Sequence, residues 1–585
     1  MATIQGDASN NTLTGSTADD LIFGLQGGDT IQGNGGADTL VGGRDSDSIR
    51  YGSATAANAT TGALIYGDEG ADTVISSGSS GNNTIIGDTG NASIDSVTGG
   101  ADNIDASADT GSDLIIGGYG DDTINSNTPS NVRFGSATTT STISGGNGND
   151  VINANSFQNV IIFGNEGGDT ILGWGLNNTI TGGKGNDSIN LNSSNQTTVN
   201  GLSGIAYGGE GNDTIVISGG NETVLGGTGN AAIDSLAGPA GDGNDLITVA
   251  NIGTSGNDFI LGNFGDDTIN ATAQYTLAGA VNSDTLVGGQ GNDVIFSGRT
   301  TNNLIFGNQG NDAISDTLAG AGTETIIGGL GDDTIVGGSV NAANDLIYGN
   351  EGNNYISITG GSTTAGGNDT IFTGNSFNDS VGNGDGNSSV DVSTQAGGND
   401  LIYGGSGNDS FNLGGRGTVR VAAAQNNGVA IAGNAGGVVE TVTGGAGADT
   451  FRYDASNTPV SSTAAPASAG TNTASSGTSG LDTITDFVSG TDKIAVTTFA
   501  GTTTGAVGSV LNAGSISATS LAAAASAADV AISATTTGTN AATFQYGADF
   551  YALVETNTTA GTTGGVNLLI NIKGTSALSK SDFTV

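Results

Sequence analysis

The sequence predicts an all-β solenoid of short parallel strands, and a nine-residue repeat carries that prediction. Residues 24–50 contain three consecutive units, GLQGGDTIQ, GNGGADTLV and GGRDSDSIR, each opened by glycine. An aspartate stands at the sixth position of each unit and an aliphatic residue at the eighth. A short fixed period is typical of repeat architectures, in which each unit buries its apolar residue against its neighbours.

The glycine content supports the same prediction. The chain has 585 residues with 106 Gly and only 4 Pro, far above the usual glycine share of roughly 7%. Glycine adopts positive φ at no steric cost and lets two backbones approach closely, as tight turns require. We therefore expect a tight turn in each unit, followed by a very short strand whose eighth residue points inward.

The sixth-position aspartate gives the turns their chemistry. It adds a hard carboxylate where backbone carbonyls converge, and Ca²⁺ takes six to eight oxygen ligands of these kinds. The pattern G-G-x-G-x-D-x-U-x is that of a calcium-binding parallel β-helix.

The repeats resemble the RTX (repeats-in-toxin) family. That resemblance implies a right-handed calcium-binding parallel β-roll in which two nonapeptides form one turn and each ion lies between successive loops. It also implies that glycine-rich turns contribute carbonyl ligands and that the position-six aspartates contribute carboxylates. These aspartates are Asp20, Asp29, Asp38, Asp47, Asp72, Asp122, Asp150, Asp169, Asp187, Asp213, Asp258, Asp267, Asp293, Asp312, Asp333, Asp409 and Asp449.

The charge balance agrees with many bound cations. The chain has 56 Asp and Glu against 11 Lys and Arg, a net charge of −45. About twenty Ca²⁺ ions, within a range of roughly 15 to 25, would bring about forty positive charges. Without them the acidic loops repel each other, so we expect calcium binding and folding to be one equilibrium. Such an acidic surface disfavours nucleic acid and anionic membranes as partners.

Several activities and locations are excluded or disfavoured by composition. Cys and His are both absent, so a zinc protease of the H-E-x-x-H type and a Ser-His-Asp hydrolase are impossible. Two carboxylates suffice for a glycosidase, but here they are explained by calcium binding, and we predict no enzyme. The first residues have neither a basic segment nor an apolar run, and we expect no cleaved N-terminal signal and no membrane insertion.

The predicted domains are an RTX β-roll with loop insertions (1–453), a Ser/Thr/Ala/Gly-rich linker (454–480), and a small β-rich C-terminal domain (481–585). LDTITDFVSGTDKIAV, residues 481–496, is similar to the motif that closes RTX repeat regions. The final residues, Asp582 to Val585, are similar to the uncleaved signal of RTX proteins exported by type I secretion machinery. By this resemblance, residues 481–585 cap the roll and carry the export signal.

Some units have asparagine at position six: Asn11, Asn83, Asn178, Asn303 and Asn354. One interpretation is a drifted, weak or empty site. The other follows from two units per turn: aspartates stack on one edge, as Asp169 with Asp187, while an asparagine such as Asn178 lies on the opposite edge. Neutral Asn ladders would then close that edge without calcium.

The function predicted from these features is structural. We expect a secreted calcium-binding protein that folds outside the cell and self-assembles on the surface as an S-layer or fibril. The open sheet edge expected at the first turn favours association with another copy. The alternative is an RTX adhesin or a gliding-related surface fibril that binds cell-surface polysaccharide.

Overall fold

A computed structural model describes most of the predicted repeat region and parts of the C-terminal region. The residues described are 1–52, 62–77, 81–88, 99–109, 111–125, 140–154, 159–173, 177–191, 204–217, 221–227, 242–249, 257–272, 283–297, 302–316, 323–337, 344–358, 369–374, 386–391, 401–405, 407–412, 420–424, 428–432, 441–445, 448–454, 483–489, 491–497, 509–518, 521, 524–525, 527–528, 540–555, 567–573 and 578–584.

The chain divides into two compact units, Met1–Ile295 and Phe296–Val585. Unit 1 consists of very short strands, the last of which reaches the unit boundary. They are β1 (Thr3–Gln5), β2 (Thr12–Thr14), β3 (Leu21–Gln26), β4 (Thr30–Gln32), β5 (Thr39–Arg44), β6 (Ser48–Tyr51), β7 (Leu64–Glu69), β8 (Thr73–Ser76), β9 (Thr84–Ile86), β10 (Asn103–Asp105), β11 (Leu114–Tyr119), β12 (Thr123–Asn125), β13 (Thr142–Asn147), β14 (Val151–Asn153), β15 (Ile161–Glu166), β16 (Thr170–Leu172), β17 (Thr179–Lys184), β18 (Ser188–Asn190), β19 (Ile205–Glu210), β20 (Thr214–Ile217), β21 (Thr223–Leu225), β22 (Leu246–Val249), β23 (Phe259–Phe264), β24 (Thr268–Ala271), β25 (Thr285–Gln290) and β26 (Val294–Ser297).

These strands form two parallel sheets, and successive strands alternate between them. The odd-numbered strands form the first sheet and the even-numbered strands the second. In the first sheet Thr3 pairs with Leu21 and Leu21 with Thr39; in the second, Thr12 pairs with Thr30. Each strand thus pairs with the strand two units later, so two nonapeptides make one turn. The predicted all-β parallel β-roll is confirmed.

The repeat itself explains why these segments are strands. The eighth residue of each unit points between the sheets, and Ile22, Ile31, Leu40 and Ile49 are fully buried. The residues on either side of it point outward, which gives the alternation of a sheet with one buried face. The turns use left-handed backbone, as at Asn34 with φ 75°, which Gly and Asn tolerate best.

Unit 2 repeats this arrangement and adds antiparallel strands towards its end. Its strands are β27 (Leu304–Gln309), β28 (Ala313–Asp316), β29 (Thr325–Leu330), β30 (Thr334–Gly337), β31 (Leu346–Glu351), β32 (Tyr355–Ile358), β33 (Thr370–Phe372), β34 (Ser389–Asp391), β35 (Leu401–Gly405), β36 (Ser410–Asn412), β37 (Arg420–Ala424), β38 (Gly428–Ala432), β39 (Thr441–Gly445), β40 (Thr450–Asp454), β41 (Thr483–Ile484), β42 (Lys493–Thr497), β43 (Ser509–Ser515), β44 (Asn540–Tyr546), β45 (Asp549–Glu555), β46 (Asn567–Ile572) and β47 (Phe583–Thr584).

The C-terminal region continues the roll and also contains antiparallel strands. Strand β40 pairs in parallel with β42, and β42 pairs with β47, so the last described residues extend the roll. Strands β44, β45 and β46 pair antiparallel. The described residues between 521 and 528 are helical, and Ala524, Ala525 and Ala528 pack against this sheet. A 3-10 turn, Lys580–Asp582, precedes β47.

Several predicted segments lie outside the described residues. These are the linker beyond Asp454 and most of the loop insertions. Among the residues that are described, no helix has the length and apolar character needed to cross a membrane.

Candidate metal centre

Each turn of unit 1 has two corners, and the position-six residues of one corner stack in a column. We call this column the aspartate ladder, because the residue that precedes each even-numbered strand from β4 onward is aspartate. Its members are Asp29, Asp47, Asp72, Asp102, Asp122, Asp150, Asp169, Asp187, Asp213, Asp245, Asp267 and Asp293.

One hydrogen bond connects each member of the aspartate ladder to the next. The backbone N–H of Asp29 donates to Oδ1 of Asp47 at 2.6 Å, and that of Asp47 donates to Oδ1 of Asp72 at 2.7 Å. The same bond recurs through the ladder, as between Asp169 and Asp187 at 2.7 Å. Each carboxylate therefore uses Oδ1 to order the preceding turn.

The other carboxylate oxygen has no such partner in most of these residues, or in three predicted aspartates outside the ladder. Oδ2 is buried and accepts no hydrogen bond in Asp29, Asp38, Asp47, Asp72, Asp102, Asp122, Asp150, Asp169, Asp187, Asp213, Asp245, Asp267, Asp333 and Asp449. A buried charged oxygen without a hydrogen bond is strongly destabilising unless a counter-charge reaches it.

Glycine at position one keeps space open beside this oxygen. A Cβ added to Gly24 would clash with Oδ2 of Asp29 and with the carbonyl oxygen of Gly42, the first-position glycine of the next turn. A Cβ on Gly42 would likewise clash with Oδ2 of Asp47 and the carbonyl of Gly67. At each such corner a carboxylate oxygen and a carbonyl oxygen face one small space that only glycine leaves open.

The electrostatics of the ladder favour a bound cation. Burial raises the pKa of Asp47 and of Asp72 to about 7, and that of Asp102 to about 9. Neighbouring ladder carboxylates raise these pKa values further by like-charge repulsion. Among the described residues, the ion pairs are three exposed or half-exposed contacts, including Arg44 with Glu69 at 3.5 Å, and none involves the ladder.

The donor set fits calcium. In the described part of the chain, no three acidic side chains come together in a group that could hold a metal, so a bound ion needs carbonyl oxygens beside the carboxylate. The glycine corners offer such carbonyls, and mixed carboxylate and carbonyl coordination is typical of Ca²⁺. Asp residues of the ladder and first-position Gly carbonyls would hold the ion.

Unit 2 shows that backbone carbonyls converge at such a corner. Its equivalent column is Asp312, Asp333, Asn354, Ser388, Asp409, Asp449 and Asp492. At Asn354 the side-chain amide donates to the carbonyls of Asn350, Gly352 and Thr373, at 3.3, 3.5 and 3.4 Å. The amide nitrogen therefore occupies the space where converging carbonyls would otherwise require a cation.

The second corner of unit 1 differs in composition, and we call its column the mixed ladder. It comprises the residues that precede the odd-numbered strands: Ala2, Asp20, Asp38, Ala63, Asn83, Asp113, Ser141, Val160, Asn178, Gly204, Glu222, Asp258 and Asp284. The backbone pairing is the same, since from Ala2 to Asp258 the carbonyl of each accepts from the strand of the next turn, as Asp38 does from Leu64 at 2.9 Å. This corner thus forms whether or not a carboxylate is present.

The seventeen aspartates predicted from the sequence fall into three groups. All are buried, with 3% exposure or less. Asp20, Asp38 and Asp258 belong to the mixed ladder, Asp312, Asp333, Asp409 and Asp449 to the unit 2 column, and the others to the aspartate ladder. Asp20 is the least suited to an ion, because its Oδ2 already accepts from the backbone N–H and hydroxyl of Ser16, at 2.6 and 2.7 Å. Calcium ligation by these residues remains a prediction.

Sequence reasoning missed two members of the aspartate ladder, Asp102 and Asp245. In both loops an insertion separates the first-position glycine from the aspartate, so the nine-residue match fails. The second half of the unit is intact, as A-D-N-I and N-D-L-I, and a search for that half alone finds both. Other buried acidic residues that were not assigned to sites from the sequence include Asp113, Glu222, Asp284, Glu324, Asp345, Asp369 and Asp492.

The predicted separation of aspartate from asparagine is confirmed at one place. Asp169 and Asp187 stack in the aspartate ladder, while Asn178 lies in the mixed ladder and accepts from the N–H of Val160 at 3.1 Å. The prediction of an Asn ladder is wrong at this place, because the neighbours of Asn178 in its column are Val160 and Gly204. Asn354 lies in the aspartate-rich column of unit 2.

A family model agrees with this geometry. The RTX calcium-binding nonapeptide repeat matches residues 3–31, 14–49, 141–161, 163–195, 203–231, 252–274, 296–315, 318–339, 340–365 and 396–415. This chain is an RTX repeat protein. RTX repeats bind Ca²⁺ and are typical of secreted proteins, and the matches contain members of both ladders. No curated protein matches the chain.

Proposed function

We propose that this RTX protein is a secreted structural protein, which folds when its ladders bind Ca²⁺ outside the cell and then assembles with copies of itself into an S-layer or fibril. The observation that carries the calcium part is the buried, unpartnered Oδ2 repeated along the aspartate ladder. Bound Ca²⁺ supplies the positive charge that these carboxylates lack.

The chain's own residues explain why folding depends on that charge. Each turn buries one or two carboxylates, and the next turn lies only one strand spacing away, ~4.8 Å. Without calcium, water can hydrate these charges in the unfolded chain, whereas it cannot hydrate them in the folded roll. Low calcium inside the cell keeps the chain unfolded for export, and high calcium outside folds it.

The outward face of the first sheet supports self-assembly. Its seventh-position side chains in unit 1 alternate between threonine and a large apolar residue from one turn to the next, and none is buried. They are Thr3, Leu21, Thr39, Leu64, Thr84, Leu114, Thr142, Ile161, Thr179, Ile205, Thr223, Phe259 and Thr285. An extended exposed apolar face of this kind is typical of an interaction surface.

The two outward faces of unit 1 differ. The ninth-position residues of the first sheet add Phe23, Tyr66 and Phe163 to its apolar face, whereas the second sheet presents mostly Thr, Ser, Asn and Gln. The large residues recur every two turns, about 9.6 Å at ~4.8 Å per strand. A copy displaced by one turn can place its large residues over the threonines, so the face is complementary to itself.

Calcium links folding to this assembly. With a net charge of −45, calcium-free chains repel one another. Neutralised rolls can approach, and the apolar face then favours contact. Export by type I secretion machinery belongs to the same proposal, supported by the resemblance of residues 481–496 to the motif that closes RTX repeat regions.

A surface variant tests the assembly part. Leu114, Ile205 and Phe259 of the first sheet are 38%, 37% and 41% exposed, and we expect L114S/I205S/F259S to fold in calcium but remain monomeric. The matched control, V151S/L172S/L246S, changes outward residues of the second sheet and should assemble like the wild type. The measurements are circular dichroism, light scattering and negative-stain electron microscopy at millimolar calcium.

Two other outcomes redirect the proposal. A wild-type chain that folds in calcium yet stays monomeric at high concentration contradicts self-assembly and favours the adhesin function, which a polysaccharide binding screen then tests. Loss of assembly in both triple variants contradicts the proposal that copies associate through the first sheet and not through the second.

A further inference from the structure

Two loops of unit 1 contain an additional buried aspartate outside the position-six columns. The loops are those of the aspartate ladder that end at Asp102 and Asp245, and each is interrupted by an insertion between its second and third positions. The insertions, residues 89–98 and 228–241, both begin with threonine, glycine, asparagine and alanine, and neither contains Lys or Arg. We call the two loops the insertion corners.

The additional aspartate comes from opposite sides of the two insertions. In the first corner Asp88 precedes the insertion and Gly99 follows it; in the second, Gly227 precedes it and Asp242 follows it. A Cβ added to Gly99 would clash with Oδ2 of Asp88, and one added to Gly227 would clash with Oδ2 of Asp242. The aspartate and the glycine have exchanged places, and the carboxylate has stayed in the same part of the loop.

The hydrogen bonds confirm that the two carboxylates are equivalent. Oδ2 of Asp88 accepts from the backbone N–H of Tyr119 at 3.3 Å, and Oδ2 of Asp242 accepts from that of Phe264 at 3.2 Å. Tyr119 and Phe264 occupy the same position in the following turns, which read GYGDDTIN and NFGDDTIN. Asp88 and Asp242 are 1% and 5% exposed.

Each additional carboxylate lies beside ladder oxygens that accept no hydrogen bond. Oδ2 of Asp102 is unpartnered and lies against Gly87, the residue before Asp88, together with the carbonyl of Gly117. Oδ2 of Asp245 is likewise unpartnered and lies against Gly226, the residue before Gly227. Both aspartates are 2% exposed.

Electrostatic effects support the pairing. Burial raises the pKa of Asp102 and of Asp245 to about 9, and Asp88 and Asp242 respectively contribute to the rise by repulsion. A neutral side chain could accept the Tyr119 or Phe264 N–H equally well, since Asn and Ser also carry acceptors. Burying a further carboxylate at both corners instead is favourable only with a cation beside it.

We propose that the insertion corners are two matched high-affinity divalent-cation sites, in which Asp88 joins Asp102 and Asp242 joins Asp245 as a second carboxylate. This inference rests on calcium binding by the aspartate ladder and assigns two of its positions a greater charge. More carboxylates per site strengthen Ca²⁺ binding, so these corners fill first as calcium rises and order the turns on either side.

The test is a calcium titration of the full chain in competition with a chromophoric chelator. We expect two ions to bind more tightly than the rest in the wild type, one in D88N and one in D242N, and none in D88N/D242N. The lost sites should weaken on the order of 10- to 100-fold. Each substitution keeps an oxygen that can accept the backbone N–H, so a purely hydrogen-bonding role predicts no change.

The chain supplies a matched control and a rescue. Asp121 and Asp266 are exposed, and each accepts the backbone N–H of the next turn, from Asn149 and Asn292, both at 2.7 Å. D121N/D266N therefore removes the same charge and should keep both tight ions. In G227D/D242G the carboxylate moves to the other side of the insertion, as in the first corner, and the tight ion should return.

The outcomes separate this inference from the general function. A wild type that binds no calcium contradicts ladder binding itself. Two results overturn only the proposal about the insertion corners. One is a wild type that binds many ions with equal affinity, and the other is a D88N/D242N variant that titrates like the wild type. If circular dichroism shows that D242N does not fold in calcium, failure of G227D/D242G to restore the tight ion overturns the proposal.

Discussion

The two ladders of unit 1 have the same backbone pairing and different chemistry. Every turn from Asp29 to Asp293 places a carboxylate in the aspartate ladder, whereas the mixed ladder also contains Val160, Asn178 and Gly204. Valine and glycine have no side-chain ligand for an ion, yet their carbonyls accept from the next strand at 2.9 Å and 2.9 Å, as those of the carboxylate corners do.

This difference separates what makes a corner from what makes it calcium-dependent. Corner geometry needs residues that tolerate tight turns and an inward aliphatic residue at position eight. The ion becomes necessary only where a carboxylate is buried with one oxygen unpartnered. We infer that one column makes folding depend on calcium and that the other is partly stable without it.

Calcium removal should produce the largest effect. With excess chelator at neutral pH, each buried ladder aspartate must either stay charged without a counter-ion or take up a proton, whereas the unfolded chain ionises it freely. The roll should therefore lose most of its β-structure. Far-ultraviolet circular dichroism during a chelator titration measures this. A spectrum that does not change on chelation would mean that the buried carboxylates are compensated within the chain.

Acid should replace calcium in part. The folded pKa values of Asp47, Asp72 and Asp102 are raised to about 7, 7 and 9, above the unfolded value near 3.8. The cost of ionising them is absent below about pH 4 and grows as pH rises towards the folded pKa values. The calcium-free chain should therefore have more β-structure at pH 4 than at pH 8. Equal or greater unfolding at pH 4 would contradict this.

Single substitutions in the two columns should differ in kind. Asp187→Asn keeps the oxygen that accepts from Asp169 but removes the charge, so we expect one ion fewer and a higher calcium midpoint for folding. Asn178→Ala removes hydrogen bonds with Val160 and Gly173 and should lower the free energy of unfolding by about 1–3 kcal/mol in saturating calcium. Isothermal titration calorimetry gives the ion count, and an altered count in Asn178→Ala would remove the distinction.

The smallest effect is a gain of one ion in unit 2. Asn354→Asp replaces the amide that donates to three carbonyls with a carboxylate, which should create a calcium site between those carbonyls. The stoichiometry should rise by one and the fold in calcium should be unchanged. Asn353→Asp is the control, because Asn353 is exposed and its amide bonds to Asp332 at 3.0 Å; it should add no ion.

The sequence predicted the strands and most of the aspartate positions because both depend on local spacing. Two units per turn places Asp169 and Asp187 in one column and Asn178 in the other, as the structure shows. Asp102 and Asp245 could not be recognised from a nine-residue match, because each loop is held together across an insertion by contacts between turns.

The apolar outer face was also missed, although its signal is in the sequence. Phe163 of this face, for example, is 38% exposed. Whether a side chain faces the core follows from its position in the unit, while the sheet it belongs to follows from counting units in pairs. Aligning Leu21, Thr39 and Leu64 by pairs of units would have shown the alternation.

The most direct test of the account is a crystal structure of the full chain grown in calcium, with anomalous scattering recorded to locate the ions. We predict peaks beside Gly24, Gly42 and the other first-position glycines along the aspartate ladder, with none beside Val160, Asn178 or Asn354. Ions distributed equally over both columns, or ions bound only to exposed carboxylates, would contradict the central claim that the aspartate ladder makes this fold depend on calcium.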